Sequence, residues 1–119
     1  MATPEVTRVL RALDQQRMHW VDIAPGLRVQ YRRPLECDMR TLHQGVDVDH
    51  CVQFVCGWEG FTEATFLGQG VGADDPMPFD TDLWAAYVRD RVHLVGTVAQ
   101  AIAGSVAQHL AQKAAAEKN

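Results

Sequence analysis

Five residues that commonly bind metals or act in nucleophilic chemistry fall within one twenty-residue stretch: Cys37, His43, His50, Cys51 and Cys56. Zinc is usually held by close pairs such as C-x2-C or H-x3-H, which let two side chains reach one ion. Here Cys51 and Cys56 are five apart, and the adjacent His50 and Cys51 leave a helix on different faces. Cys51 also lies on an apolar stripe, where a free cysteine serves as a small core residue. No metal site is expected. A cysteine nucleophile needs a base, and only the fold could bring His43, His50 or His93 to one. No G-x-S-x-G elbow is present, and "GQGVGAD" (68–74) lacks the Gly-Lys-Ser/Thr end of a phosphate loop. Asp74 and Asp75 sit in a loop, and helix capping accounts for Asp80 and Asp82. The sequence nominates no catalytic residue and no cofactor, and a non-enzymatic protein is expected.

Aromatic residues are the next resource. "CGWEGFTEATFLGQG" (56–70) places Trp58, Phe61, Phe66 and Leu67 among four glycines, and Trp84 and Tyr87 follow on a later helix. These six are the candidate partner-binding residues. Trp58, Phe61 and Phe66 would line a groove that Trp84 and Tyr87 border. Each also has a purely structural reading as a core anchor, and Trp58 and Trp84 fall on inward faces. Phe66 and Leu67, beside a glycine-rich loop, are the ones best placed to meet a partner.

The elements that would position these residues follow from spacing. Thr3 caps and Pro4 opens a helix to Gln16, with Val6, Val9, Leu10 and Leu13 on one side; it is either a packed helix or an arm that orders against something else. Trp20–Ile23 and Leu27–Arg32 form a hairpin about Ala24-Pro25-Gly26, and Pro34 closes it. An isolated hairpin is marginal, so it must lie on helices or join a neighbour's sheet. A short helix spans Glu36–Leu42, with Met39 and Leu42 inward. Asp47 or Asp49 caps the next, whose stripe Val48, Cys51, Val52 and Val55 ends at Gly57. Phe61–Leu67 forms one more turn with Thr62 as cap, and 68–78 is a loop. Asp80 caps a helix bearing Leu83, Trp84, Tyr87, Val88 and Arg91, with Phe79 placed to staple Trp84. A last helix carries Val95, Val98, Ala99, Ile102, Val106 and Leu110.

The expected fold is mainly α (α+β): a single small domain of four to five helices with one β-hairpin in its N-terminal half. Residues 1–18 are a helix or arm, 20–33 the hairpin, 36–112 a helical body and 113–119 a frayed tail. Its 119 residues leave room for one core, and 47% hydrophobic residues suit a folded chain. A net charge of −4 argues against binding phosphate backbones, so no nucleic acid partner is expected. No apolar run approaches the ~20 residues of a membrane span. The start lacks the features of a secretory signal, and three cysteines make no disulfide framework, which points to reduced thiols in a cytoplasm.

The order of motifs resembles the tail assembly chaperones of long-tailed phages and prophages. The matching stretches are "VDIAPGLRVQYRRPLECDMR", "VCGWEGFTEATFL", "MPFDTDLWAAYVRDR" and the closing Ala-rich helix, over roughly residues 20 to 112. They carry Arg33-Pro34, Asp38-Met39-Arg40, Gly57-Trp58-Glu59-Gly60, Pro78-Phe79-Asp80 and Leu83-Trp84. The N-terminal helix and the long glycine-rich gap between Leu67 and Pro78 depart from the pattern and leave the subfamily open. The resemblance implies a small, mainly helical, non-enzymatic protein of the host cytoplasm. It would bind the tape-measure protein, help recruit tail-tube subunits, self-associate, and leave before the virion is complete. The alternative is a structural virion component: a neck, connector or tail-terminus ring protein.

Overall fold

The computed structural model of the chain describes residues 3–42 and 44–118. Among these, five α-helices and a three-stranded antiparallel sheet give the small α+β fold expected. Helix α1 (Pro4–Gln16) opens as its sequence dictates: the Thr3 hydroxyl accepts the Val6 N–H at 3.3 Å, and Pro4 occupies the first turn. Only Arg17 separates it from strand β1 (Met18–Ala24), which turns over Pro25-Gly26 into β2 (Leu27–Arg32). Gly26 takes φ 77°, the conformation for which the turn selects glycine. Val21 pairs with Val29 and His19 with Tyr31, so these side chains share the inward face of the hairpin.

The hairpin is completed within the chain, which resolves how so short a pair is stabilised. Helix α2 (Val48–Phe54) stops one residue before its apolar stripe does, and Val55–Glu59 becomes strand β3 on the far side of β2. This corrects the expectation that the helix and its stripe run on to Gly57. Val55 satisfies either period, and Gly57 breaks the alternation that would otherwise have marked a strand. The sheet order β1-β2-β3 leaves β1 as an edge. The end of β3 lies against the hairpin turn. Gly60 takes φ 93°, and a Cβ there would overlap the Gly26 carbonyl oxygen.

A 3-10 helix (Asp38–Leu42) replaces the short helix expected from Glu36. Asp47, rather than Asp49, caps α2: its carboxylate accepts the His50 N–H at 3.0 Å, and His50 Nδ1 accepts the Asp47 N–H at 3.1 Å. Thr62 precedes α3 (Glu63–Leu67), and Asp80 caps α4 (Thr81–Arg89) through the Leu83 N–H at 3.0 Å. The Phe79 and Trp58 rings meet nearly at right angles, with centroids 5.0 Å apart.

Helix α5 (Val92–Lys118) is longer than expected, remaining helical where fraying was predicted from 113. Lys113 and His109 hold the Glu36 carboxylate at 2.8 and 3.0 Å, tying the last turns to the segment after the hairpin. The buried stripe of α5 is narrow: Leu94, Val98, Ile102 and Ser105 are inside, whereas Leu110 is exposed. Leu94, Val98 and Ile102 pack with Val29, Tyr31, Cys51, Phe54, Trp84 and Val88 in a shared core between helices and sheet. Two polar bonds fix the layers: Trp84 Nε1 donates to the Cys51 carbonyl, and Tyr31 Oη to the Ala101 carbonyl, both at 3.1 Å. The whole is elongated, 56 × 38 × 23 Å, with a radius of gyration of 16.6 Å. A chain of this length packed evenly would have about 13.5 Å. The difference requires projecting elements.

Candidate partner-binding surfaces

The six residues nominated from sequence do not form one surface. Five of them meet at a corner where β3, α3 and α4 converge. The Trp58 ring stacks on Phe61 at 4.4 Å and lies 5.5 Å from Phe66. Tyr87 presents its ring at steep angles to both phenylalanines, each at 5.5 Å, and Trp84 lies 6.4 Å from Tyr87. Within this corner Phe61, Trp84 and Tyr87 are buried. Their rings are occupied by core contacts and are closed to a partner in this conformation. Trp58 and Phe66 are half-buried, and Leu67 is 60% exposed. The accessible part of the corner is therefore its loop side.

The glycine-rich loop is fastened there. Trp58 Nε1 donates to the Met77 carbonyl at 2.7 Å, and the Met77 N–H donates to the Phe61 carbonyl at 2.8 Å. The two bonds clamp the loop's end beside β3 and leave a shallow cleft of about 260 Å³, with Trp58, Phe61 and Met77 in its walls. At the end of α4, the Arg91 guanidinium lies 3.8 Å from the centre of the Tyr87 ring and donates to the Tyr87 carbonyl at 3.1 Å. It thus caps α4 with a cation where the helix dipole favours one.

A second apolar surface was not among the nominated residues. Helix α1 buries no side chain, and Val6, Val9, Leu10 and Leu13 remain 48%, 52%, 58% and 53% exposed. Its anchorage is at its end: Asp14 pairs with Arg32 at 3.0 Å, and the Arg33 N–H donates to the Arg17 carbonyl at 2.7 Å. A one-residue link leaves little length in which to reverse direction, and none of the α1 stripe is buried against the sheet that follows. The sequence signal was the stripe itself, joined almost directly to a strand. Edge strand β1 adds a half-exposed Trp20, over which the Arg28 guanidinium lies at 4.2 Å.

The sulfur and imidazole groups are dispersed. Cys37 is exposed, Cys56 half-buried and Cys51 buried. Burial, aided by Asp47, pushes the Cys51 thiol up to about 11, and its Sγ donates to the Val95 carbonyl at 3.7 Å. A protonated core thiol is a poor nucleophile at neutral pH. His50 uses its ring in the α2 cap, and His43 lies outside the described residues. Among the described residues, no group of three or more His, Cys, Asp or Glu side chains is placed to hold a metal ion. Likewise, no described helix is long and apolar enough to cross a membrane.

Comparison with family models, curated proteins and solved structures returned no match for this chain.

Proposed function

We propose that this protein is a non-enzymatic assembly factor, specifically a tail assembly chaperone of a long-tailed phage. In this reading it acts in the host cytoplasm, binds the tape-measure protein and helps recruit tail-tube subunits. The observation that carries the binding role is the α1 stripe: four aliphatic side chains, each about half exposed, on a helix that the described residues hold at its end. An extended helical partner can lay its own apolar face along such a stripe. The finer identity rests on the motif order from the hairpin through Trp58 to the closing helix.

Size favours a transient partner. A standard stable interface takes about 800 Å² from each side, and four half-exposed aliphatic side chains supply a fraction of that. Leu67 and the loop side of the aromatic corner would extend the contact for a long partner. A binder that holds and then releases suits this small surface.

The second reading, a neck, connector or tail-terminus ring component, is favoured by one observation. Strand β1 has a single neighbour among the described residues, and an adjacent copy could pair with its open edge. Co-expression with the tape-measure and tail-tube proteins, pull-down, and mass spectrometry of finished particles separate the two. Capture of the tape-measure protein with absence from the particle is the expected result. Stable presence in the particle overturns the chaperone reading in favour of the ring.

A further inference from the structure

Cationic and neutral donors gather in a groove of about 430 Å³ between the start of the sheet and the distal half of α5. Arg33, His19 and His109 line it with the amides of Gln16, Gln108 and Gln112, and among the described residues no carboxylate is in its lining. That is a local reversal in a chain with 15 acidic and 11 basic side chains.

Arg33 is held in place by backbone atoms. Its Nη1 donates to the Pro34 carbonyl at 2.8 Å, and Arg17 Nε donates to the Arg33 carbonyl at 2.9 Å. Arg17 is thus held at the Arg33 backbone, and the two guanidinium groups are near enough for one charge to act on the other. Neither makes an ion pair among the described residues, whereas Arg28, Arg32 and Arg89 each do. The nearby Glu36 carboxylate is already committed to His109 and Lys113. Burial first, and the Arg17 charge second, press the Arg33 guanidinium below its ordinary value, with Glu36 opposing. Placing like charges together in a half-buried site is unfavourable unless an anion joins them. The remaining donors suit an oxyanion: a guanidinium fork matches two oxygens, and the amides and the His19 imidazole can take the others.

We propose that this groove binds an oxyanion, a phosphate or carboxylate group, with Arg33 as its principal donor and His19, Gln108 and Gln112 around it. Occupancy would bridge the end of α1 to α5. The proposal is independent of what covers the apolar stripe.

The test is an NMR titration of the full chain at constant ionic strength, following the ring signals of His19 and His109. Inorganic phosphate and acetate are the two probes, and the tighter one assigns the source of the oxyanion. A saturable shift of both rings is expected, weakened roughly tenfold or more in Arg33→Gln and unchanged in Arg8→Gln, an exposed α1 arginine. Shifts that rise linearly without saturation, or that persist undiminished in Arg33→Gln, overturn the site. Should Arg33→Gln fail to fold, Gln108→Glu serves instead by setting a carboxylate against the donors. Undiminished binding in that variant overturns the proposal equally.

Discussion

Helices α1 and α5 carry the same kind of apolar stripe and meet opposite fates. In α1, Val6, Val9, Leu10 and Leu13 recur at helical spacing and stay in solvent. In α5, Leu94, Val98 and Ile102 recur at the same kind of spacing and are buried against the sheet and α2. The difference lies in connection rather than composition. Helix α5 follows α4 after two residues and returns across the inward face of Val29 and Tyr31, so its stripe finds a surface. Helix α1 leads directly into β1, and its stripe is left uncovered. Helical periodicity specifies a face that needs covering; chain topology decides whether the same chain covers it.

The largest expected effect lies on the buried side of this contrast. Trp84→Ala removes a fully buried indole and its bond to the Cys51 carbonyl, and should cost about 3–5 kcal/mol in denaturant unfolding. A much smaller loss would mean that the corner can open, which would return Trp84 to the partner-binding residues. Next is the contact of hairpin turn and β3: Gly60→Ala forces a side chain into positive φ and onto the Gly26 carbonyl, at a cost of about 1–3 kcal/mol. An unchanged melting curve would show that this approach is relaxed in solution.

On the exposed side, Leu10→Gln with Leu13→Gln should leave folding within about 0.5 kcal/mol of the parent while abolishing capture of the tape-measure protein. A large loss of stability would instead show that α1 packs against its own chain or a second copy. Thiol labelling reads the same inside–outside contrast: Cys37 should react first, Cys56 slowly and Cys51 only on unfolding. Equal rates for Cys37 and Cys51 would contradict the core.

The smallest effect is at the distal end of α5. Hydrogen bonds from Lys113, then His109, hold the Glu36 carboxyl down to about 2, from an ordinary 4.5. The folded state therefore gains from this cluster above about pH 4.5 and loses that gain as pH falls toward 2. Because Glu36 is exposed, the effect should be small and weakened by salt. Glu36→Gln should flatten the acid limb of the stability curve slightly. An unaltered limb would show that the last turns of α5 are not tied down.

The hairpin, the caps at Thr3 and Asp80 and the apolar stripe of α2 were legible because each depends on residues within a few positions of one another. Strand β3 was not, since Val55-Cys56-Gly57-Trp58 becomes a strand only by pairing with β2, some twenty-five residues earlier. The aromatic corner was half legible. Its members were named, yet which rings face inward depends on how β3 and α4 approach, and that removed Phe61, Trp84 and Tyr87 from the accessible surface. The polar groove was invisible in sequence, because Arg33 and His109 are far apart along the chain and carry no shared pattern.

The sequence by itself determined the local elements and the faces they needed to bury, because backbone propensity, capping and side-chain periodicity act over a few residues. Only the tertiary structure decided which faces were buried, how the third strand completed the sheet, and which distant polar groups gathered in one groove. Those outcomes depend on loop lengths and on contacts between distant segments, whose energies no local pattern encodes.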